Sequence, residues 1–149
     1  MSRDYFAEMY VAGILADNGW NVYFPRRDKG FDFIITKEVG DRMLVRPVQV
    51  KGLYPTDTKT DKTVYGYTGR LTQLHPDMVL ALPYFPTDIT GVAPSHTAYM
   101  PRQRVRPQAS RGYRCVPAEF VAGVARPRRD FARFFDAAGI TAMESPTWS

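Results

Sequence analysis

The chain has 149 residues, enough for one domain with a hydrophobic core, and its 44% hydrophobic and 13% aromatic content argues against a disordered protein. No apolar run approaches a membrane span, the N-terminus shows no signal-peptide pattern, and the single cysteine, Cys115, rules out an internal disulfide, so a cytoplasmic protein with no membrane partner is expected. A net charge of +5 and a pI of about 9.5 favour a polyanionic partner.

Asp4 to Asn18 reads as a helix, with Phe6, Tyr10 and Ile14 as its apolar stripe and Gly19 as the residue that ends it. Trp20–Phe24 reads as a first strand. Pro25–Gly30 is a basic turn, in which Arg26, Arg27 and Lys29 are placed to touch a phosphate backbone. Phe31–Lys37 and Met43–Lys51 then form a hairpin. Gly40-Asp41 suits its two-residue turn, because glycine takes the positive φ that a type II′ turn needs first. With that loop Val39 faces Arg42, and counting back along both strands Asp32 faces Gln49. Lys51 shares Gln49's face through the two-residue period. Pro47 interrupts this count, since a residue without an N–H implies an edge or a bulge.

Asp, Gln and Lys are poor strand residues, and a buried charge is costly unless it is paired or metal-bound. Their convergence on one face suggests a site for a metal and a phosphate. Mg²⁺ takes oxygen ligands, and Mn²⁺ is an acceptable substitute. Asp32 offers a carboxylate, Gln49 an amide oxygen and Val50 its backbone carbonyl. Lys51 would orient a water or stabilise charge developing on phosphate. Zinc is not expected, because His75, His96 and Cys115 lack ligand spacing.

The order of a helical Glu8, a strand Asp32 and the strand triplet Gln49-Val50-Lys51 resembles the PD-(D/E)xK nuclease superfamily, in the branch of Holliday-junction-resolvase-like and restriction-endonuclease-like domains. The likeness covers roughly Phe6 to Gly52. Gln49 stands where the usual residue is Glu, which removes one negative charge. The resemblance implies a restriction-endonuclease-like αβββαβ core, an α/β mixed sheet, with an extra C-terminal helix. It implies Glu8, Asp32, Gln49 and Lys51 as the catalytic set, with Glu8 joining the metal-binding residues. It also implies DNA as the substrate, hydrolysed by a metal-dependent endonuclease with a possible preference for branched DNA, and a possible homodimer. The alternative is a catalytically silent DNA- or protein-binding module on the same core.

Beyond the hairpin, Tyr54–Lys62 reads as a mobile loop, and Lys59, Lys62 and Arg70 join the candidate DNA contacts. Val64–Tyr67 reads as a short strand, Leu71–Leu74 as a short helix, and Asp77–Leu82 as a buried strand. Pro83–Pro94 reads as a loop, Thr97–Met100 and Tyr113–Val116 as strands, and Ala118–Val124 as a helical turn. Arg128–Ala138 reads as a helix on a Phe131, Phe134, Phe135 stripe, ended by Gly139, and Glu144–Ser149 as a frayed tail. From Arg102 to Arg129 there are eight arginines and one acid, Glu119, a composition suited to bidentate phosphate contact. No internal repeat or linker divides the chain, so one domain over 1–149 is expected.

Overall fold

A computed structural model describes residues 4–27, 30–55, 64–69, 71, 74–107, 112–122 and 124–149, with the backbone alone for 4 and 64–69. Helix α1 (Asp4–Asp17) precedes strands β1 (Asn21–Tyr23), β2 (Phe33–Val39) and β3 (Arg42–Val50). Strands β4 (Val64–Gly69), β5 (Val79–Tyr84), β6 (His96–Pro101), β7 (Arg106–Pro107), β8 (Tyr113–Val121) and β9 (Val124–Pro127) follow, and helix α2 (Asp136–Ala142) comes last. The architecture is mixed α/β. A five-stranded sheet runs β1-β2-β3-β5-β6, with β3 and β5 parallel and the other neighbours antiparallel. In a second sheet, β8 pairs with β4 along one edge and with β7 and β9 along the other.

The hairpin register is the expected one. Val39 faces Arg42, and the pairing runs unbroken to Phe33 opposite Val48. Gly40 has φ +61° while Asp41 stays out of the left-handed region, the pattern of a type II′ turn. Pro47 lies neither at an edge nor at a bulge: it is buried in β3, opposite Ile34. Alternation explains the difference. Val39 and Arg42 flank a two-residue turn, so the even-numbered residues of β3 bond to β2 and Pro47 faces the other way. There, pairing with β5 begins only at Val48. No donor is missed.

β5 is buried throughout, as a strand covered on both faces must be. Val79 and Ala81 face α1 with Val48 and Val50, while Leu80, Leu82 and Tyr84 face the second sheet with Met100, Cys115 and Ala118. The expected stripe on α1 is off by one residue. Ala7, Val11 and Leu15 are buried, whereas Phe6 and Met9 are more than one-third exposed. Small Ala7 lets the helix approach the sheet, and Phe6 packs beside it on Tyr10 and Phe85, with ring centroids 6.4 and 6.1 Å away.

Several C-terminal expectations are corrected. The predicted helical turn at Ala118–Val124 is the β8–β9 hairpin, whose buried Ala118 packs in the cluster of Leu80, Leu82 and Met100 from the first sheet. Pro83 belongs to β5, opposite Thr97. The predicted Arg128–Ala138 helix is a 3₁₀ turn over Arg129–Phe134, an extended Phe135 bridged to Ala98, and then α2. Asp136 takes φ +54°, and its carboxylate accepts from the Thr97 amide at 2.9 Å and lies 2.8 Å from His96 Nδ1. These bonds outweigh continuing the helix. Gly139 then lies inside α2, where a Cβ would overlap the Phe134 carbonyl. The tail is held, not frayed. Buried Arg46 donates to the carbonyls of Met143 at 2.9 Å and Ser145 at 2.8 Å, and stacks 4.8 Å from the Trp148 ring. The predicted loop at Tyr54–Lys62 lies mostly outside the described residues, as does the centre of the predicted helix at Leu71–Leu74; the described part of that connection carries β4.

Burial pushes the Cys115 thiol up to about 12, with Arg104 partly opposing the shift. Below about pH 9 the thiol is neutral in both folded and unfolded chains. Above it the unfolded chain releases the proton and the folded one keeps it, so stability falls by up to about 1.4 kcal/mol per pH unit until the folded thiol also titrates. Urea melts at pH 8 and 10.5 are expected to differ by up to about 2 kcal/mol from this thiol, a difference reduced in Cys115→Ala. An unreduced difference would exclude Cys115 as its source.

Candidate functional site

Gly30 has φ +97°, a turn that carries the chain from the basic segment into Phe31-Asp32. At Asp32 the ladder changes. Continued pairing would set it against Gln49, but its amide donates to the Val48 carbonyl at 2.9 Å, a bulge-like step that ends β2. The Asp32 carboxylate takes the place of the missing strand: Oδ2 accepts from the Val50 amide at 2.6 Å, a short, charge-assisted bond.

On the other side of β3, the Lys51 amide donates to the Ala81 carbonyl at 2.9 Å. Successive residues of a strand bond to opposite neighbours, so the N–H and C=O of Val50 both face the gap beyond the end of β2. The Asp32 carboxylate and the Val50 carbonyl therefore border the same gap. Gln49 pairs with Leu80 and shares its face, away from α1. It is only 8% exposed, and its Oε1 is buried with no hydrogen-bond partner among the described residues. A buried amide oxygen without a partner costs about 1–3 kcal/mol, so something must repay it or the residue serves another purpose. Lys51 is half-buried beside it in sequence.

Glu8 is half-buried on α1, which covers the opposite face of the sheet. Its neighbour Ala7 abuts Gly52: a Cβ built there would lie 3.3 Å from the Ala7 Cβ and 3.1 Å from the Tyr54 ring. The first turns of α1 thus sit over the segment that follows Lys51, and Glu8 adjoins that contact. Arg26 and Arg27 are exposed on the bend that leads toward Asp32. Lys29, Lys59, Lys62 and Arg70 lie outside the described residues. The His75 Nδ1 accepts a hydrogen bond from the Asp77 amide at 3.0 Å and caps a turn.

Among the described residues, no three His, Cys, Asp or Glu side chains gather to hold a cation by themselves. A metal at this site would therefore depend on neutral oxygens as well as the Asp32 carboxylate. The unpartnered Gln49 Oε1 and the Val50 carbonyl are oxygens of that kind, and a hard cation accepts them. Sequence reasoning assigned no individual role to Arg104, Arg106, Arg114 and Arg128, which line one cleft on the second sheet. Their signal was an acid-poor arginine run; the gathering itself needed the fold. No family model, curated protein or solved structure matches the chain.

Proposed function

We propose that the chain is a metal-dependent DNA endonuclease of the PD-(D/E)xK type, with its centre at the end of β2 and β3. The observation that carries this reading is the buried, unpartnered Gln49 amide oxygen at the strand end where the Asp32 carboxylate is held on the Val50 amide. Asp32, Gln49 Oε1 and the Val50 carbonyl would hold Mg²⁺ or Mn²⁺, with Glu8 contributing through water. When bound, the cation supplies Lewis acidity to a water and to the scissile phosphate. The Lys51 ammonium would stabilise charge developing on the phosphate oxygens and orient the attacking water. The Asp32–Val50 bond fixes the carboxylate before substrate arrives, which lowers the cost of ordering it in the reaction. Arg26 and Arg27, on the bend preceding Asp32, would hold the DNA backbone beside the centre.

The second reading, a catalytically silent DNA-binding module on the same core, is favoured by the neutral Gln49. The test is incubation of the chain with labelled linear duplex, single-stranded DNA and a four-way junction in Mg²⁺, Mn²⁺ or EDTA. Cleavage confined to the metal-containing samples is the expected result, and the most rapidly cut substrate identifies the preferred DNA shape. Binding without cleavage in every metal would establish the silent module instead.

A further inference from the structure

Four arginines line a cleft of about 400 Å³ on the second sheet: Arg104, Arg106, Arg114 and Arg128, together with Val116 and Phe131. Among the described residues, no Asp or Glu lines it. Arg106 and Arg114 are direct cross-strand partners between β7 and β8. Such partners share a face with Cβ atoms about 5 Å apart, and like charges so placed destabilise a sheet. Arg104 is held over the Phe131 and Phe134 rings, 5.6 and 5.4 Å from their centroids. Arg128 is anchored by its amide, which donates to the Pro117 carbonyl at 2.7 Å, yet its Nε is buried without a hydrogen-bond partner among the described residues. The cleft thus pairs a repulsive arrangement with a buried guanidinium N–H that no described residue satisfies. A bound anion would offset the repulsion, and the planar fork of arginine matches phosphate oxygens.

We propose that this cleft is a second nucleic-acid contact, which takes a backbone phosphate of a single- or double-stranded polynucleotide on Arg104, Arg106, Arg114 and Arg128, outside the Asp32 centre. The arginines come from β7, β8 and the turns beside them, so the second sheet serves as a backbone-binding platform. Its contacts are to phosphate and carry no sequence preference. The choice of a polynucleotide over another phosphate carrier rests on the nuclease reading, although the cleft's affinity for phosphate does not.

The experiment measures binding of a labelled 20-nucleotide single strand and its duplex by fluorescence anisotropy, in EDTA so that no cleavage intervenes, at several salt concentrations. The wild-type chain is compared with Arg106→Gln/Arg114→Gln. In the double variant, affinity is expected to fall at least tenfold at low salt, and the slope of log affinity against log salt to flatten by about one to two. Unchanged affinity and slope in the double variant would overturn the proposal. So would failure of the wild type to bind either oligonucleotide while 20 mM inorganic phosphate raises its Tm and not that of the double variant, because the cleft would then serve a small phosphate. Should the double variant not fold, Arg114→Gln alone, an exposed strand position, supplies the same comparison with a slope change of about one. Loss of binding in the arginine variant without any metal-dependent cleavage by the wild type would uphold the cleft and reject the nuclease reading.

Discussion

Asp32→Asn is expected to lower metal-dependent cleavage by roughly a thousandfold, the scale on which removal of one charge-stabilising group acts at a phosphoryl or acyl centre. Asparagine is the informative replacement. Alanine would also strip the acceptor from the Val50 amide, bonded at 2.6 Å, and an abandoned amide costs about 1–3 kcal/mol. Asn keeps an oxygen for that bond and removes only the charge. The variant should therefore melt within a few degrees of the wild type, which separates loss of chemistry from loss of fold. A variant that cuts DNA at the wild-type rate would remove Asp32 from the centre and with it the assignment of Gln49 and Val50.

The largest stability effect is expected at the C-terminal helix α2. At Gly139 a Cβ would overlap the Phe134 carbonyl and come within 3.0 Å of the Tyr99 ring. The carbonyl is backbone, so relief requires α2 to move off Phe134. Gly139→Ala is expected to destabilise by about 3 kcal/mol or more, lowering Tm by roughly 10 °C. Gly13 provides the contrast. It lies on the exposed side of α1 with nothing within 4 Å of a Cβ, and Gly13→Ala should stabilise by about 0.5–1 kcal/mol. Equal melting of Gly139→Ala and wild type by calorimetry would show that α2 does not pack on Phe134 in this way.

Local signals and long-range consequences differed in how well they could be read. The hairpin register followed from Gly40-Asp41 and a period of two, because a two-residue turn dictates every pair beyond it. The same counting reached Asp32 opposite Gln49 and there met a side-chain bond to the Val50 amide that ends the ladder one pair early. Periodicity located α1 but chose Phe6, Tyr10 and Ile14, the bulkiest residues, where the sheet accepts small Ala7. The C-terminal segment was misread for a related reason. Its phenylalanines have helical spacing, but Phe135 is claimed by a bridge to Ala98, about forty positions away, and no local pattern announces such a bridge. Arg46 carried no signal either: an arginine on a strand normally faces water, and only the fold shows it buried under the C-terminal residues.

That last contact bears on how the chain is made. Arg46 lies on β3, the strand that also carries Gln49, and its bonds to Met143 and Ser145 span 97 and 99 positions. During synthesis β3 is finished long before the residues that take up its guanidinium leave the ribosome. Until then Arg46 is a charge on the face destined for the α1 core, where burying it alone is unfavourable. Closure of that face, and with it the seating of α1 beside the candidate centre, therefore waits until Met143 and Ser145 have been made and can take up the Arg46 guanidinium.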